Sequence, residues 1–190
     1  MSESIQSRKV ILDLAVTLDG FIEGEKGEID WCVMDAEMGF LDFLAHIDTI
    51  LYGRKSYDLW GQFTPDDTAS DEEKALWAAV HSKEKYVFSK TQKNTDNKAI
   101  FINDHILEEV NHLKSSSGKD IWLYGGASLI TTFIKLGLVD EFRLSVHPIV
   151  LGGGTPLFTD ITQRLNLKLV HTKTFSSGVV QLIYHISRET

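Results

Sequence analysis

Cysteine, proline and long hydrophobic runs are scarce in this sequence, and each scarcity excludes a class of protein. Cys32 is the single cysteine among 190 residues, which excludes an internal disulfide framework and a multi-cysteine metal site and fits a reducing cytosol. The three prolines are widely spaced, so no proline-rich linker divides the chain. The apolar stretches are interrupted and fall far short of the roughly 20 residues that span a bilayer. The polar N-terminus lacks a signal-peptide core. We therefore expect a cytoplasmic protein with one domain over residues 1–190.

Basic residues are also in the minority. Lysine and arginine number 19 against 27 aspartates and glutamates, a net charge of -8. An acidic surface repels phosphate backbones and anionic lipids, so we expect neither nucleic acid nor a membrane as a partner. This balance still allows a local basic pocket for one small anion. With 43% apolar residues the chain can bury a sizeable core, which excludes a disordered or fibrous protein.

Strand-like and helix-like segments alternate along the chain. Apolar runs predict eight strands, at residues 9–17, 49–52, 85–89, 99–103, 121–124, 141–150, 166–174 and 179–187. Helical spacing and caps predict helices at residues 35–46, 53–60, 70–81, 104–115 and 127–136. Glycines over 18–30 predict a mobile loop. The fold class is α/β, with a mixed, mostly parallel sheet of about eight strands and an antiparallel hairpin at the C-terminal end.

Glycine-containing turns follow three of these strands, at the edge where open α/β sheets bind ligands. In the first turn, Arg54, Lys55 and Ser56 come at the start of a helix, a combination that suits a phosphate. In the second, Gly125 and Gly126 allow the backbone to approach a ligand closely. Both turns could equally be ordinary strand–helix connections.

The remaining candidates are weaker. The third glycine run, 152–154, is a bulge or a plain loop. Asp35 and Glu37, at the start of a helix, could handle a proton or anchor a heterocycle, although solvated first-turn acids are commoner. His105, Glu109 and His112 share a predicted helical face, but this pattern is more typical of a polar helix side than of a metal site. We expect no metal.

Six motifs in a fixed order resemble a known family. Taken together, they are similar to the dihydrofolate reductase-like superfamily, in the branch that contains the C-terminal reductase domain of bacterial bifunctional riboflavin-biosynthesis proteins. The motifs are AVTLDGFI at 15–22, DW at 30–31, ILYGRKSY at 50–57, VFSKT at 87–91, YGGASL at 124–129 and PIVLGGGTPLF at 148–158. The resemblance implies a single-domain, three-layer fold of that superfamily.

The resemblance also implies an NADPH-dependent reductase of a small pyrimidine- or pteridine-like heterocycle, such as 5-amino-6-(5-phosphoribosylamino)uracil in riboflavin biosynthesis. By this analogy the phosphates and the adenosine would contact Arg54, Ser56, Ser89 and Lys90. The pyrophosphate and nicotinamide side would contact Gly125, Gly126, Ala127, Ser128 and Leu129. Arginine and lysine are suited to the extra 2′-phosphate of NADPH.

The same analogy assigns the reacting face. Ala15 and Thr17 would border the nicotinamide, with Asp19 close to the reacting atoms. The helix acid of the folate enzymes falls on Glu37, with Asp35 as the alternative, so Asp19, Glu37 and Asp35 are the candidate catalytic residues.

One departure from the family bears on the substrate. The riboflavin-pathway reductases carry arginines on the helix after the glycine-rich loop, whereas here that segment has no basic residue and would present Asp35, Glu37 and Asp42 to a phosphorylated substrate. Two alternatives therefore stay open: a non-catalytic NADP(H)-binding module, and a structural dimer that keeps only the fold. The strand-rich C-terminal third could pair between subunits, so we expect a homodimer.

Overall fold

The computed structural model describes residues 7–34, 36–91 and 98–187. The strands are β1 Val10–Thr17, β2 Phe21–Glu23, β3 Ile47–Gly53, β4 Glu84–Phe88, β5 Ile100–Ile102, β6 Asp120–Gly125, β7 Glu141–His147, β8 Thr155–Pro156, β9 Leu167–Thr174 and β10 Val180–Ile186. The α-helices are α1 Phe40–Ala45, α2 Arg54–Ser56, α3 Asp71–His81, α4 Ile106–Ser115 and α5 Ala127–Lys135. The chain forms two compact units, the first from residues 1–10 and 39–126 and the second from 11–38 and 127–190.

The first unit is built on four parallel strands in the order β5-β4-β3-β6. Its central strand β3 is almost entirely buried, with Ile47, Ile50 and Leu51 fully covered. Such a continuous apolar run is typical of a parallel strand that is covered on both faces. Beside it in this unit, Ile121 and Leu123 of β6 are fully buried too.

The helices of the first unit differ from the predictions at their ends. The helix start predicted at Ser70 is confirmed, since Ser70 Oγ accepts the Glu73 N–H at 3.1 Å at the start of α3. The predicted helix over 35–46 is wrong in part: α1 starts only after Gly39, whose φ of 67° places it in the left-handed region. His105 has a φ of 54° and precedes α4, so it does not share a helical face with His112 as expected.

The second unit contains the remaining long strands. β1 and β7 are parallel, and β10 is antiparallel to both β7 and β9. The predicted C-terminal hairpin is therefore confirmed, with Gly178 at a φ of 85° in its turn. The predicted strand 141–150 is too long, because Pro148 has no N–H to continue the ladder after His147. The apolar side of α5 buries Leu129, Ile130 and Phe133 in this unit.

A small two-stranded sheet was not predicted. β2, which lies in the expected loop 18–30, pairs antiparallel with β8, directly after the third glycine run. A Cβ on Gly154 would overlap the carbonyl oxygen of Glu23, and the φ of Gly154 is 138°. Within this run, Gly154 is therefore required by the close approach of two backbones.

The α/β class, the eight predicted strands and the mostly parallel arrangement are confirmed. The single domain expected over 1–190 stays a prediction. Over the part of the chain that the structure describes, no helix is long and apolar enough to cross a bilayer.

Candidate functional site

Three of the sequence-predicted segments meet at one edge of the first unit. β3 is parallel to β4 and to β6, with Gly53 opposite Phe88 and Tyr52 opposite Gly125. The carboxyl ends of these three strands consequently lie side by side. The segments that follow them supply the candidate residues Arg54, Ser56, Ser89, Lys90, Gly125 and Gly126. We call this group the phosphate edge.

Two glycines let the backbones at the phosphate edge approach each other. A Cβ on Gly53 would lie 3.3 Å from both the Gly125 carbonyl oxygen and the Gly126 nitrogen. A Cβ on Gly126 would lie 3.1 Å from Ser56 Oγ. The first and second predicted turns are thus in direct contact, and side chains at Gly53 or Gly126 would crowd them.

The charged members of the phosphate edge reach solvent. Arg54 pairs with Asp58 one helical turn later, and each side chain is 40% exposed. Lys90 is exposed, and Ser89 is half-buried, its N–H donating to the Ile102 carbonyl at 3.0 Å. An exposed ion pair of this kind contributes little to stability, so an incoming phosphate can compete with Asp58 for the guanidinium.

The rest of the glycine-turn motif opens the second segment of the second unit, residues 127–190. Ala127 and Ser128 form the first turn of α5, and Ser128 is exposed. Leu129 is only 6% exposed and belongs to the core of this unit, so its side chain is used in packing. The sequence motif did not show that Leu129 packs in the core, in contrast to Ala127 and Ser128.

Ala15, Thr17 and Asp19 lie at the end of β1 in the second unit, and hydrogen bonds fix the last two. Thr17 Oγ1 donates to Asp19 Oδ1 at 2.6 Å and accepts the Phe21 N–H at 2.9 Å. Asp19 also accepts the N–H groups of Leu151 and Gly152. The Thr17 hydroxyl and then these backbone donors lower the pKa of Asp19, which holds the carboxylate ionised.

Of the two helix acids, Glu37 lies in a short 3₁₀ turn, Ala36–Met38, and Asp35 lies outside the described residues. Glu37 is exposed, its carboxylate accepting from Ser176 Oγ at 3.3 Å and its carbonyl from Lys173 Nζ at 2.8 Å. Within the second unit these contacts tie the 3₁₀ turn to the β9–β10 hairpin.

A group of buried polar side chains that sequence reasoning missed lies on one face of β1, β7 and β10. Among the described residues, tyrosines aside, six of the eight buried polar or charged side chains belong to this face, the other two being Arg8 and Thr49. The register places its members side by side. We call this group the polar face: Asp13, Thr17, Glu141, Arg143, Ser145, His147, Gln181 and His185. The signal was available in β7, where every second residue from Glu141 to His147 is polar.

An ion pair and a histidine–carboxylate contact cross the polar face. Arg143 Nε lies 3.0 Å from Asp13 Oδ2, and His185 Nε2 lies 3.0 Å from Glu141 Oε2. Burial raises the pKa of Asp13 from 3.8 to about 6, against the opposing effect of the Arg143 guanidinium, and the Glu141 charge adds to the rise. Asp13 is therefore a carboxyl group that exchanges its proton near pH 6 rather than near pH 4.

A segment of the second unit covers part of the polar face. The Val33 N–H donates to His147 Nε2 at 3.1 Å, and the Trp31 ring meets the same imidazole edge-on at 5.2 Å between centroids. His147 Nδ1 is bound to the Ser145 carbonyl at 2.9 Å. Within the described part of the chain, no group of three or more histidine, cysteine, aspartate or glutamate residues is arranged to hold a metal ion.

Comparison with known proteins identifies the family of this chain. The sequence matches the RibD C-terminal domain family over residues 8–181. It is 71% identical to the uncharacterized protein YyaP of Bacillus subtilis (strain 168) over 185 residues, 97% of this chain and 98% of that protein.

Two solved structures share the fold. A proposed riboflavin biosynthesis protein of Shewanella sp. PV-4 superposes with a TM-score of 0.77 at 24% identity, over 95% of this chain and 99% of that one. Dihydrofolate reductase of Enterococcus faecalis, in complex with NADP(H) and RAB-propyl, gives a TM-score of 0.65 at 14% identity, over 94% and 96%. The predicted dihydrofolate reductase-like fold is confirmed, and the chain belongs to the RibD C-terminal domain family.

Proposed function

We propose that this chain is an NADPH-dependent reductase of a small pyrimidine- or pteridine-like heterocycle. The observation that carries the proposal is the phosphate edge of the first unit, where three glycine- and hydroxyl-containing strand ends come together. Membership of the RibD C-terminal domain family and the NADP(H) complex of the structurally similar dihydrofolate reductase support it. When bound, the cofactor supplies the hydride.

The residues present fit such a cofactor. Gly53 and Gly126 leave the backbone open where side chains would crowd the edge. Arg54 and Lys90 offer positive charge for phosphate groups, and Ser56 and Ser89 offer hydroxyl groups for hydrogen bonding. Ala127, Ser128 and the backbone of Leu129 would serve the pyrophosphate and nicotinamide side. Ala15, Thr17 and Asp19 would border the nicotinamide.

The substrate class follows from the relatives and from the charge of this chain. Because the Shewanella structure is that of a proposed riboflavin biosynthesis protein, 5-amino-6-(5-phosphoribosylamino)uracil is the first compound to test, with dihydrofolate as the pteridine. Glu37 and Asp42 are exposed, and their segment lacks the basic residues that would attract a phosphate. We therefore expect a substrate with little or no negative charge to be reduced faster than a phosphorylated one.

We also propose that the enzyme works in the cytoplasm as a homodimer.

The test is a titration of the purified protein with NADPH and with NADH, followed by quenching of tryptophan fluorescence. Saturable binding with a clear preference for NADPH is the expected result. Binding without oxidation of NADPH in the presence of any heterocyclic acceptor would favour a non-catalytic NADP(H)-binding module. No binding of either nucleotide would reduce the relationship to a shared fold.

A further inference from the structure

The polar face of the second unit is unusual because six of its eight side chains are buried, while Arg143 and His185 are partly exposed. The opposite faces of the same strands carry Leu12, Phe142 and Leu144, as expected for a sheet that packs on a core. A buried polar side chain is unfavourable unless it is hydrogen-bonded, and a buried charge needs a partner as well. A sheet face that contains six of the eight buried polar or charged side chains found among the described residues, tyrosines aside, is therefore a candidate for chemistry rather than for packing.

Asp13 is a buried acid on this face. The residue is 8% exposed, and Arg143, its register partner on β7, holds its carboxylate. Glu141 lies two residues earlier on the same face of β7 and is itself 8% exposed. His185 of β10 pairs with Glu141 and not with Asp13. Arg143 is thus a cationic partner of Asp13, and Glu141 is an acidic neighbour that adds to the rise of its pKa.

Arg143 connects Asp13 with the solvent side of the polar face. Its side chain is 21% exposed, while the side chain of Asp13 is 9% exposed. A guanidinium presents five N–H donors in a fixed plane and can bind a carbonyl oxygen or another acceptor while keeping its carboxylate partner. It also stabilises the carboxylate that remains after Asp13 has given up a proton.

The other candidate acids are less suited to proton transfer. Asp19 accepts hydrogen bonds from Thr17 and from two backbone N–H groups, so it stays ionised. Glu37 is exposed and bonded to the hairpin turn. Asp13 lies on β1 two residues before Ala15 and on the same face, beside the residues that the family resemblance assigns to the nicotinamide.

We propose that Asp13 is the proton donor of the reductase and that Arg143 is its positioning residue and binds the acceptor group of the substrate. The inference rests on the proposed function. In the step, the O–H bond of the Asp13 carboxyl group breaks and the proton bonds to the substrate nitrogen or oxygen. The hydride adds to the carbon of a double bond in the substrate. The electron pair of that bond moves to the nitrogen or oxygen at its other end, and this is the atom that takes the proton. Asp13 is left as a carboxylate beside Arg143 and regains its proton from water, so the atoms and charges balance.

The experiment compares the wild-type protein with Asp13→Asn and with Asp160→Asn. Asp160 is an exposed acid of the same unit, and its φ of 53° suits asparagine equally well, so it is a matched control. NADPH binding is measured by tryptophan quenching. Reduction is measured with 5-amino-6-(5-phosphoribosylamino)uracil and with dihydrofolate as probes, across a range of pH. The carboxyl carbon of Asp13 is followed by NMR in the same pH range.

Asp13→Asn should bind NADPH as the wild type does, because Asp13 is not part of the phosphate edge. Its turnover should fall by about 100-fold or more, the usual contribution of a general acid, and the loss of rate at high pH should disappear from the profile. Asp160→Asn should match the wild type. The Asp13 carbon signal should titrate near neutral pH, and the midpoint should move when NADPH and either probe are bound.

The outcomes separate the two proposals. If the wild type binds no NADPH, the reductase proposal fails, and the role of Asp13 falls with it. If the wild type binds NADPH but Asp13→Asn keeps the rate and pH profile, Asp13 alone is excluded as the donor. If neither probe is reduced, the NMR signal decides: a midpoint shifted by ligand supports the proposal, and an unmoved midpoint overturns it.

Discussion

Asp19 Oδ2 accepts the N–H of Gly152 at 2.8 Å, which ties the end of β1 to a segment 133 residues later in the chain. The other carboxylate oxygen accepts from Thr17 Oγ1 and from the Leu151 N–H. One side chain therefore anchors both halves of the loop region that carries β2 and β8. This role is structural and is compatible with the position near the nicotinamide that the family resemblance gives to Asp19.

Replacing this anchor should make the stability less dependent on pH. Because the pKa of Asp19 is lowered below 3.8, its ionised form stabilises the folded state at neutral pH, and this contribution is lost as the pH falls through the lowered pKa. Asp19→Asn should therefore have a Tm a few degrees below that of the wild type at neutral pH, with the two values converging in acid. Thermal unfolding monitored by circular dichroism at several pH values measures this. A constant gap at all pH values would assign the loss to geometry rather than to charge.

The glycine run offers a paired test of backbone strain. Gly154→Ala should be strongly destabilising, by more than about 2 kcal/mol, because the new methyl group would overlap the Glu23 carbonyl oxygen. Gly152→Ala is the matched control: its φ of 73° is unfavourable for alanine, but nothing lies within 4 Å of the added Cβ. Its cost should stay near 1 kcal/mol. Denaturant unfolding of both variants gives the comparison, and equal losses would contradict the pairing of β2 with β8.

The 2′-phosphate preference should depend on Arg54. Arg54→Ala should weaken binding of NADPH by roughly 1–3 kcal/mol, the value of a hydrogen bond to a charged group, and leave NADH almost unchanged. Lys55→Ala is the control, since Lys55 is the adjacent exposed cation on the same short helix. Fluorescence titrations of the three proteins with both nucleotides supply the numbers. If the lysine variant loses as much as the arginine variant, the preference comes from general charge.

Local patterns were sufficient to predict the elements of the phosphate edge. Apolar runs predicted β3, β4 and β6. Because parallel strands end on the same side of a sheet, the glycine and hydroxyl residues at and after their ends were expected at one edge. The start of α3 at Ser70 was equally local, since Ser70 and Glu73 are three residues apart. Contacts of this short range can be read directly from the sequence.

Contacts between distant segments could not be predicted in the same way. β2 pairs with β8 across more than a hundred residues, and neither segment is long enough to show a strand pattern. Gly39 interrupts the predicted helix over 35–46 although the apolar spacing continues through it. Asp13 was missed because its pairing with Arg143 cannot be recognised from the local sequence. Arg143 lies 130 residues later in the chain and is the register partner of Asp13 on β7.

Asp13 should give the protein a pH dependence opposite to that of Asp19. Burial raises its pKa from 3.8 to about 6, so between these values the folded state binds more protons than the unfolded state, and stability falls as the pH rises. The full effect of about two pKa units corresponds to roughly 3 kcal/mol. Asp13→Asn cannot titrate, so the wild type should lose stability relative to this variant between about pH 4 and 6 and show a constant difference above. Urea unfolding of the wild type, Asp13→Asn and Asp160→Asn across that range measures the slopes. Parallel slopes in the wild type and Asp13→Asn would mean that Asp13 titrates in the folded protein as it does in the unfolded chain.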